Sequence, residues 1–233
     1  MASASLSQVH AATLRETGRS VCVKVQRPGI RPKVERDLRI LAIIARQVHD
    51  RMPDWRVYDA PGTVRTIRDV LLKELDFERE AQHLRIARSY LPEDFGAVIP
   101  KPHFHLCSER LLVLDRVHGE RLRDVRVGHE EALKLARTGM RLTLKQTLVD
   151  GFFHADPHPG NVLVATGGQL ALIDWGMVGR LTYTDRRELL MLLEAALSRE
   201  SGRMLDALAL ISGKQEITGQ RDLERDLLNL LDS

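Results

Sequence analysis

Asp156, Asn161 and Asp174 are the residues of this 233-residue chain best suited to chemistry. They lie in the stretch FFHADPHPGNVLVATGGQLALIDWG, from Phe152 to Gly176. Asp156 can accept a proton from an attacking hydroxyl or orient a water. The amide oxygen of Asn161 and the carboxylate of Asp174 are hard donors that suit a magnesium ion bridging nucleotide phosphates. The apolar stretches Val162–Ala165 and Leu170–Ile173, joined through Gly167 and Gly168, predict a hairpin with Asn161 and Asp174 at its ends. A simpler account stays open, in which Asp156-Pro157 is an ordinary turn and Asp174 closes a strand. A metal cluster of His154, Asp156 and His158 is a further alternative. Pro157 and Pro159, however, suit a shaped loop better than the helix on which paired histidines usually converge.

Such a constellation needs a cation for the phosphates and an element to hold it. Val21-Cys22-Val23-Lys24-Val25 alternates around one lysine, as a half-buried strand does. A lysine there needs an anion, because an unpaired ammonium is expensive to desolvate. Downstream, the run from Thr66 to Leu91 predicts one long helix. Phe77, Ala81 and Leu84 fall on one stripe with Glu80 among them, so Glu80 is the natural partner for Lys24. The bland alternative is a solvated Glu80 and a surface lysine.

These segments, in this order, resemble the UbiB/AarF type of atypical kinases. Residues 2–10 (ASASLSQVH) look like that family's alanine-rich loop, which takes the place of a glycine-rich nucleotide loop. Residues 21–29 (VCVKVQRPG) resemble its lysine strand and following turn. Residues 73–81 (KELDFEREA) resemble its Glu-x-Asp signature, falling on Glu74 and Asp76. Residues 153–161 and 174–176 resemble its catalytic and metal-binding loops. The resemblance implies an α+β, protein kinase-like two-lobed fold, with a small N-lobe sheet plus helices and a mainly helical C-lobe carrying the catalytic hairpin. The lobes would be residues 1–117 and 118–233, with the triphosphate in a cleft between them. It implies ATP and Mg2+ as cofactors and a link to quinone or isoprenoid-lipid metabolism. Lys24 would bind phosphates, Glu80 would orient Lys24, and Asp156 would be base or positioner, while Asn161 and Asp174 would hold the metal. The small residues Ala2, Ser3, Ala4 and Ser5 would contact the nucleotide, as would Asp115 and Val117 in a stretch, residues 114–119, that resembles a kinase hinge.

The chain departs from that pattern. The family's N-terminal extension with a Lys-x-Gly-Gln motif has no counterpart here, Ser3 stands where alanine is usual, and Trp175 replaces a phenylalanine. Truncation at both ends is the expectation. Alanine and serine in place of glycine restrict the backbone, so the phosphates should be held differently and peptide-kinase activity does not follow.

Composition limits the alternatives. A hydrophobic fraction of 43% with 29% charged residues suits a soluble globular chain rather than a disordered or integral membrane one. The net charge of +3 is weak and aromatic residues are 4%, so nucleic-acid binding is not expected. Cys22 and Cys107 lie far apart without a pairing motif, which suits reduced thiols in a reducing compartment. With no secretory leader and no bilayer-length apolar run, a cytoplasmic protein, peripheral at a membrane at most, is expected.

Between the motifs, Pro28 and Pro32 suggest a turn before a helix near Val34–His49, with Leu38, Leu41, Ala45 and Val48 on one face. Residues 98–106 and 110–117 suggest a strand pair, Glu130–Val149 a helix, and Thr184 the cap of a leucine-rich helix. The favoured reading is an ATP- and magnesium-dependent phosphotransferase or ATPase acting with lipid or quinone-precursor partners. A nucleotide-responsive module without turnover is one alternative. A small-molecule phosphotransferase of the aminoglycoside or choline kinase type, which shares the Asp…Asn…Asp-Trp order, is another.

Overall fold

The computed structural model describes residues 2–3, 6–213 and 220–232. Its opening strands alternate with tight turns. β1 (Ala2–Ser3) and β2 (Ser7–Thr13) lead through a turn at Gly18, whose φ of 67° is one that glycine adopts freely, into β3 (Ser20–Gln26). Then come α1 (Ile30–Arg51), α2 (Ala60–Glu74), α3 (Phe77–Tyr90), β4 (Ala97–Val98), β5 (Leu111–Asp115) and β6 (Gly119–Arg121). The rest is α4 (His129–Leu144), β7 (Phe152–His154), β8 (Val162–Ala165), β9 (Leu170–Leu172), β10 (Val178–Arg180), α5 (Tyr183–Leu197), α6 (Ser201–Ser212) and α7 (Gln220–Asp232).

These elements gather into two compact units. The first comprises Met1–Thr138 and Ala155–Val178, the second Gly139–His154 and Gly179–Ser233. In the first unit, one sheet has the order β1-β2-β3-β5, all antiparallel, with Lys24 opposite Val9 on one side and Leu112 on the other. Its second sheet has the order β4-β9-β8-β6. There β8 and β9 form the antiparallel hairpin expected from the sequence, turning at Gly167 and Gly168. Leu75, Phe77, Ala81, Leu84, Leu112 and Trp175 are all buried in this unit.

In the second unit β7 and β10 form a two-stranded ribbon. Residues Lys145–Asp150 make a π-helical turn, in which Lys145 Nζ lies 2.6 Å from Asp150 Oδ1. The buried Gln146 side chain accepts the His154 amide at 3.2 Å. Ala195 of α5 and Met204, Leu205 and Ala207 of α6 are buried. Among the described residues, no helix is long and apolar enough to cross a membrane.

Several local expectations change. The single helix over 66–91 is two helices, because Asp76 accepts the amides of Glu78 (3.1 Å) and Arg79 (3.4 Å) and caps a new start at Phe77. A capping side chain satisfies amides that have no intrahelical acceptor, which makes the break favourable. Helix α1 begins at Ile30 rather than Val34, since Pro32 lies in the first turn, where its missing N–H costs nothing. On its expected apolar face Leu38 and Ala45 are buried, but Leu41 stays 46% exposed. Residues 98–106 do not pair as a long strand. The expected pair is reduced to antiparallel bridges of Pro102 with Leu114 and Ser108 with Leu111, while Ala97–Val98 is a strand parallel to β9 and Phe104–Leu106 is a 3-10 turn. Thr182, not Thr184, caps α5, in a reciprocal box with Asp185.

Asp76→Ala should lower stability by about 1 kcal/mol, the usual worth of an N-cap. Denaturant unfolding measures this, and an unchanged midpoint would show that the break at residues 75–76 does not depend on the cap. Gly119 lets β6 approach β8 closely, since a Cβ there would lie 2.3 Å from the Val164 carbonyl oxygen. Gly119→Ala should therefore cost roughly 1–3 kcal/mol through forced displacement, read by the same measurement.

Candidate functional site

Lys24 sits at the middle of β3 with its side chain 15% exposed, so its ammonium must find anions within the fold. It finds two. Nζ lies 2.9 and 3.2 Å from the Glu80 carboxylate oxygens and 3.1 Å from Asp174 Oδ2. The Phe77 ring lies under the same ammonium, 5.2 Å to its centroid. Burial alone would pull the Lys24 pKa down, but Glu80 and Asp174 outweigh it and hold the group charged. Burial pushes the carboxyl of Glu80 upward, against the pull of Lys24.

Glu80 reaches Lys24 because it lies one turn into α3 on the buried stripe with Phe77, Ala81 and Leu84. It does more than pair with the lysine: its Oε1 accepts the Trp175 amide at 3.3 Å. One turn further along, the Nδ1–H of His83 donates to the Trp175 carbonyl at 2.9 Å. Both backbone groups of Trp175 are thus held by α3, while its fully buried indole donates to the Leu172 carbonyl at 3.1 Å. The Asp174 loop is thereby tied down on both sides. Asp174 Oδ1 accepts the Gly176 amide at 3.1 Å, which turns the carboxylate toward the cavity.

The loop from Asp156 to Asn161 is shaped by its own side chains. His158 Nδ1 accepts the Gly160 amide at 3.0 Å, and the Asn161 amide donates to the His158 carbonyl at 2.8 Å. Asn161 Nδ2 donates to Asp156 Oδ2 at 2.9 Å and to the Asp156 carbonyl at 3.2 Å. This fixes the amide orientation and leaves Oδ1 as the atom available to a cation. The expected alternative of a His154, Asp156 and His158 metal cluster is not formed; among the described residues no three His, Cys, Asp or Glu side chains are grouped to hold a metal.

Lys24, Glu80, Asp156, Asn161 and Asp174 all line one cavity of about 200 Å³, together with Glu74. The sequence reading named Glu74 only as part of a signature and missed it as a site residue. The structure adds a third carboxylate beside Asp156 and Asp174, and burial, then the Asp174 charge, push its pKa up. An adjoining cavity of about 390 Å³ shares Lys24, Asn161 and Asp174 and is lined by Cys22, Leu114, Asp115 and Val117. Asp115 and Val117 therefore lie beside the first group. Every lining residue of both cavities belongs to the first compact unit. Ala2 and Ser3 form a strand opposite Val9 and Gln8, whereas Ala4 and Ser5 lie outside the described residues. His83 and Phe77 were also missed as site residues. Their one sequence signal was helical spacing from Glu80, which fits packing equally well.

Comparison with known proteins gives the arrangement a family. Residues 1–208 match the model of the ABC1 atypical kinase-like domain. The chain is 36% identical over 196 residues to a protein named probable protein kinase UbiB from Erwinia tasmaniensis, covering 81% of this chain and 36% of that protein. It is 34% identical to an uncharacterized protein of Synechocystis, with 100% of this chain and 40% of that protein covered. The chain thus spans about two fifths or less of the length of these curated relatives. The solved structure of Rv3197 from Mycobacterium tuberculosis, in complex with erythromycin, superposes with a TM-score of 0.70 at 21% identity, covering 99% of this chain and 59% of that one. The mixed α+β architecture is kinase-like, and the chain belongs to the ABC1 atypical kinase-like family.

Proposed function

We propose that this chain is an ATP- and magnesium-dependent atypical kinase or ATPase, linked to quinone or isoprenoid-lipid metabolism. The observation that carries the reading is the convergence of Lys24, Glu80, Asp156, Asn161 and Asp174 on one cavity from segments far apart in sequence. The adjoining cavity beside Asp115 and Val117 has the size and apolar lining for a purine ring. The hinge there supplies main-chain groups for the base and divides lobes 1–117 and 118–233.

Asn161 Oδ1 and the Asp174 carboxylate are the oxygen donors that fit magnesium, an ion that commonly binds through one or two protein ligands and the substrate's phosphates. Magnesium bound there supplies charge neutralisation of the phosphate oxygens. Lys24 contributes an ammonium to the phosphates, and Glu80 holds it in place. Asp156 accepts the proton of an acceptor hydroxyl or orients a water, its carboxylate held by the Asn161 amide. Lipid-like or quinone-precursor acceptors, and a membrane surface as their source, complete the proposal.

One observation favours a second reading, a nucleotide-responsive module without turnover. Lys24 already contacts Asp174 Oδ2 at 3.1 Å, so a nucleotide's phosphates and its metal compete for two groups that are paired with each other. Phosphate release from ATP with magnesium, with and without isoprenoid phenols, separates the two. Nucleotide-dependent thermal stabilisation without release selects the module.

Asp174→Asn should weaken magnesium-dependent ATP binding by about tenfold or more, because the neutral amide is a poorer ligand for a hard divalent ion. Titration calorimetry with magnesium and then with chelator measures it, and equal affinity in the variant removes the ligand role. Glu80→Gln leaves a buried ammonium with one carboxylate fewer, while the amide oxygen can still accept the Trp175 N–H, a loss of roughly 3–5 kcal/mol. Lys24 should then react faster with an amine-directed acylating reagent; unchanged reactivity, followed by peptide mass spectrometry, contradicts the pairing.

A further inference from the structure

We propose that the first unit carries a second binding site, for a small phosphate-bearing anion, walled by the β2–β3 turn and by the segment that precedes β5. The cavity measures about 470 Å³ and is lined by Arg15, Arg19, Lys101, His103 and His105, with Glu16 the one carboxylate among its walls. The lining does not overlap that of the cavity holding Asp156 and Asp174.

The charge in this pocket is not compensated within the fold. Three cations face one carboxylate, and among the described residues none of Arg15, Arg19 and Lys101 has an ion-pair partner. Some cations of the chain are paired, as Arg31 is with Glu35 and Glu109 and Lys145 with Asp150. Surface cations are usually scattered or interspersed with carboxylates, whereas here they border one concavity. The turn that carries Arg15 and Arg19 is also ordered. The Leu14 amide donates to the Arg19 carbonyl at 2.9 Å, the Gly18 amide donates to the Leu14 carbonyl at 2.8 Å, and the Arg19 amide donates to Thr17 Oγ1 at 3.4 Å. Two guanidinium groups on a short hydrogen-bonded turn line the same cavity as a lysine and two imidazoles, a donor set that phosphate oxygens favour.

The pocket is joined to the hinge by direct bonds. His103, with a side chain 10% exposed, donates from Nε2 to Asp115 Oδ1 at 2.7 Å, and the Asp115 amide donates to the Lys101 carbonyl at 2.9 Å. Asp115 lines the cavity assigned to the nucleotide base, so His103 and Lys101 face the anion pocket while bonded to a wall of the other cavity. An anion drawn onto them changes the position or charge sharing of Asp115, and by reciprocity a nucleotide there changes anion affinity. That coupling rests on the nucleotide reading; the anion site itself does not.

The test uses the full chain, in metal-free buffer, with inorganic pyrophosphate as one probe. The second probe is vesicles of phosphatidylcholine with or without phosphatidylglycerol. The comparison protein carries Arg19→Ala and Lys101→Ala, both exposed positions, and thermal unfolding verifies that it remains folded. Pyrophosphate binding by calorimetry that weakens about tenfold or more in the double variant, with the His103 and His105 ring signals shifting in NMR spectra of the parent, assigns a soluble phosphate ligand. Vesicle binding that requires phosphatidylglycerol and is lost in the double variant, without a pyrophosphate response, assigns a lipid headgroup phosphate to the same pocket. Equal binding of both probes by parent and variant, or binding of neither, overturns the site. ADP affinity measured with and without pyrophosphate reads the coupling separately, so failure of the nucleotide reading leaves the anion result standing.

Discussion

A buried ammonium is the constraint on which the rest of the site depends. Lys24 stands in the middle strand pair of a four-stranded sheet, and its position is tolerable only if carboxylates reach it. Glu80 comes from a helix and Asp174 from the loop after β9, so meeting this one charge brings three remote segments together. The cavity beside Lys24 follows from the same arrangement. Once Asp174 turns toward the lysine, Glu74, Asp156 and Asn161 share the remaining space and the donors face inward.

Helix α3 transmits that constraint. It starts afresh at Phe77 because Asp76 caps it, and the new start sets the rotation that points Glu80 inward. The same helix then holds Trp175 by both backbone groups through Glu80 and His83. A buried tryptophan with a satisfied indole is difficult to displace, so the adjacent Asp174 is held by packing as well as by charge. Asp76 and Glu74, neighbours in one short motif, therefore serve separate ends: one shapes the helix and the other lines the cavity.

The family relationship and the geometry bear on different questions. Matching residues 1–208 to an ABC1 atypical kinase-like domain identifies the lineage. The ion pair between Lys24 and Asp174 concerns the state of the site, because it ties the strand lysine to the carboxylate of the loop after β9. The pocket around Arg19 and Lys101 lies on the other side of the Asp115 hydrogen bonds.

Much of the site was legible in the amino-acid order. Strand alternation around Lys24, the hairpin between Asn161 and Asp174, and the helical stripe carrying Glu80 are short-range patterns, set by side-chain periodicity and turn chemistry. The break at Asp76 was equally local, yet the apolar stripe continues through it, so periodicity alone ran two helices into one. Residues 98–106 show the opposite failure. Their strand-like composition yields one antiparallel bridge, Pro102 to Leu114, while Val98 pairs with β9, more than seventy residues away. Residue types and local periods thus determined which polar groups were available to the site and which elements carried them. Tertiary packing alone decided that Glu74 joins the cavity, that His83 holds Trp175 and that unpaired cations meet around Lys101, because those contacts depend on distances between segments that no local pattern encodes.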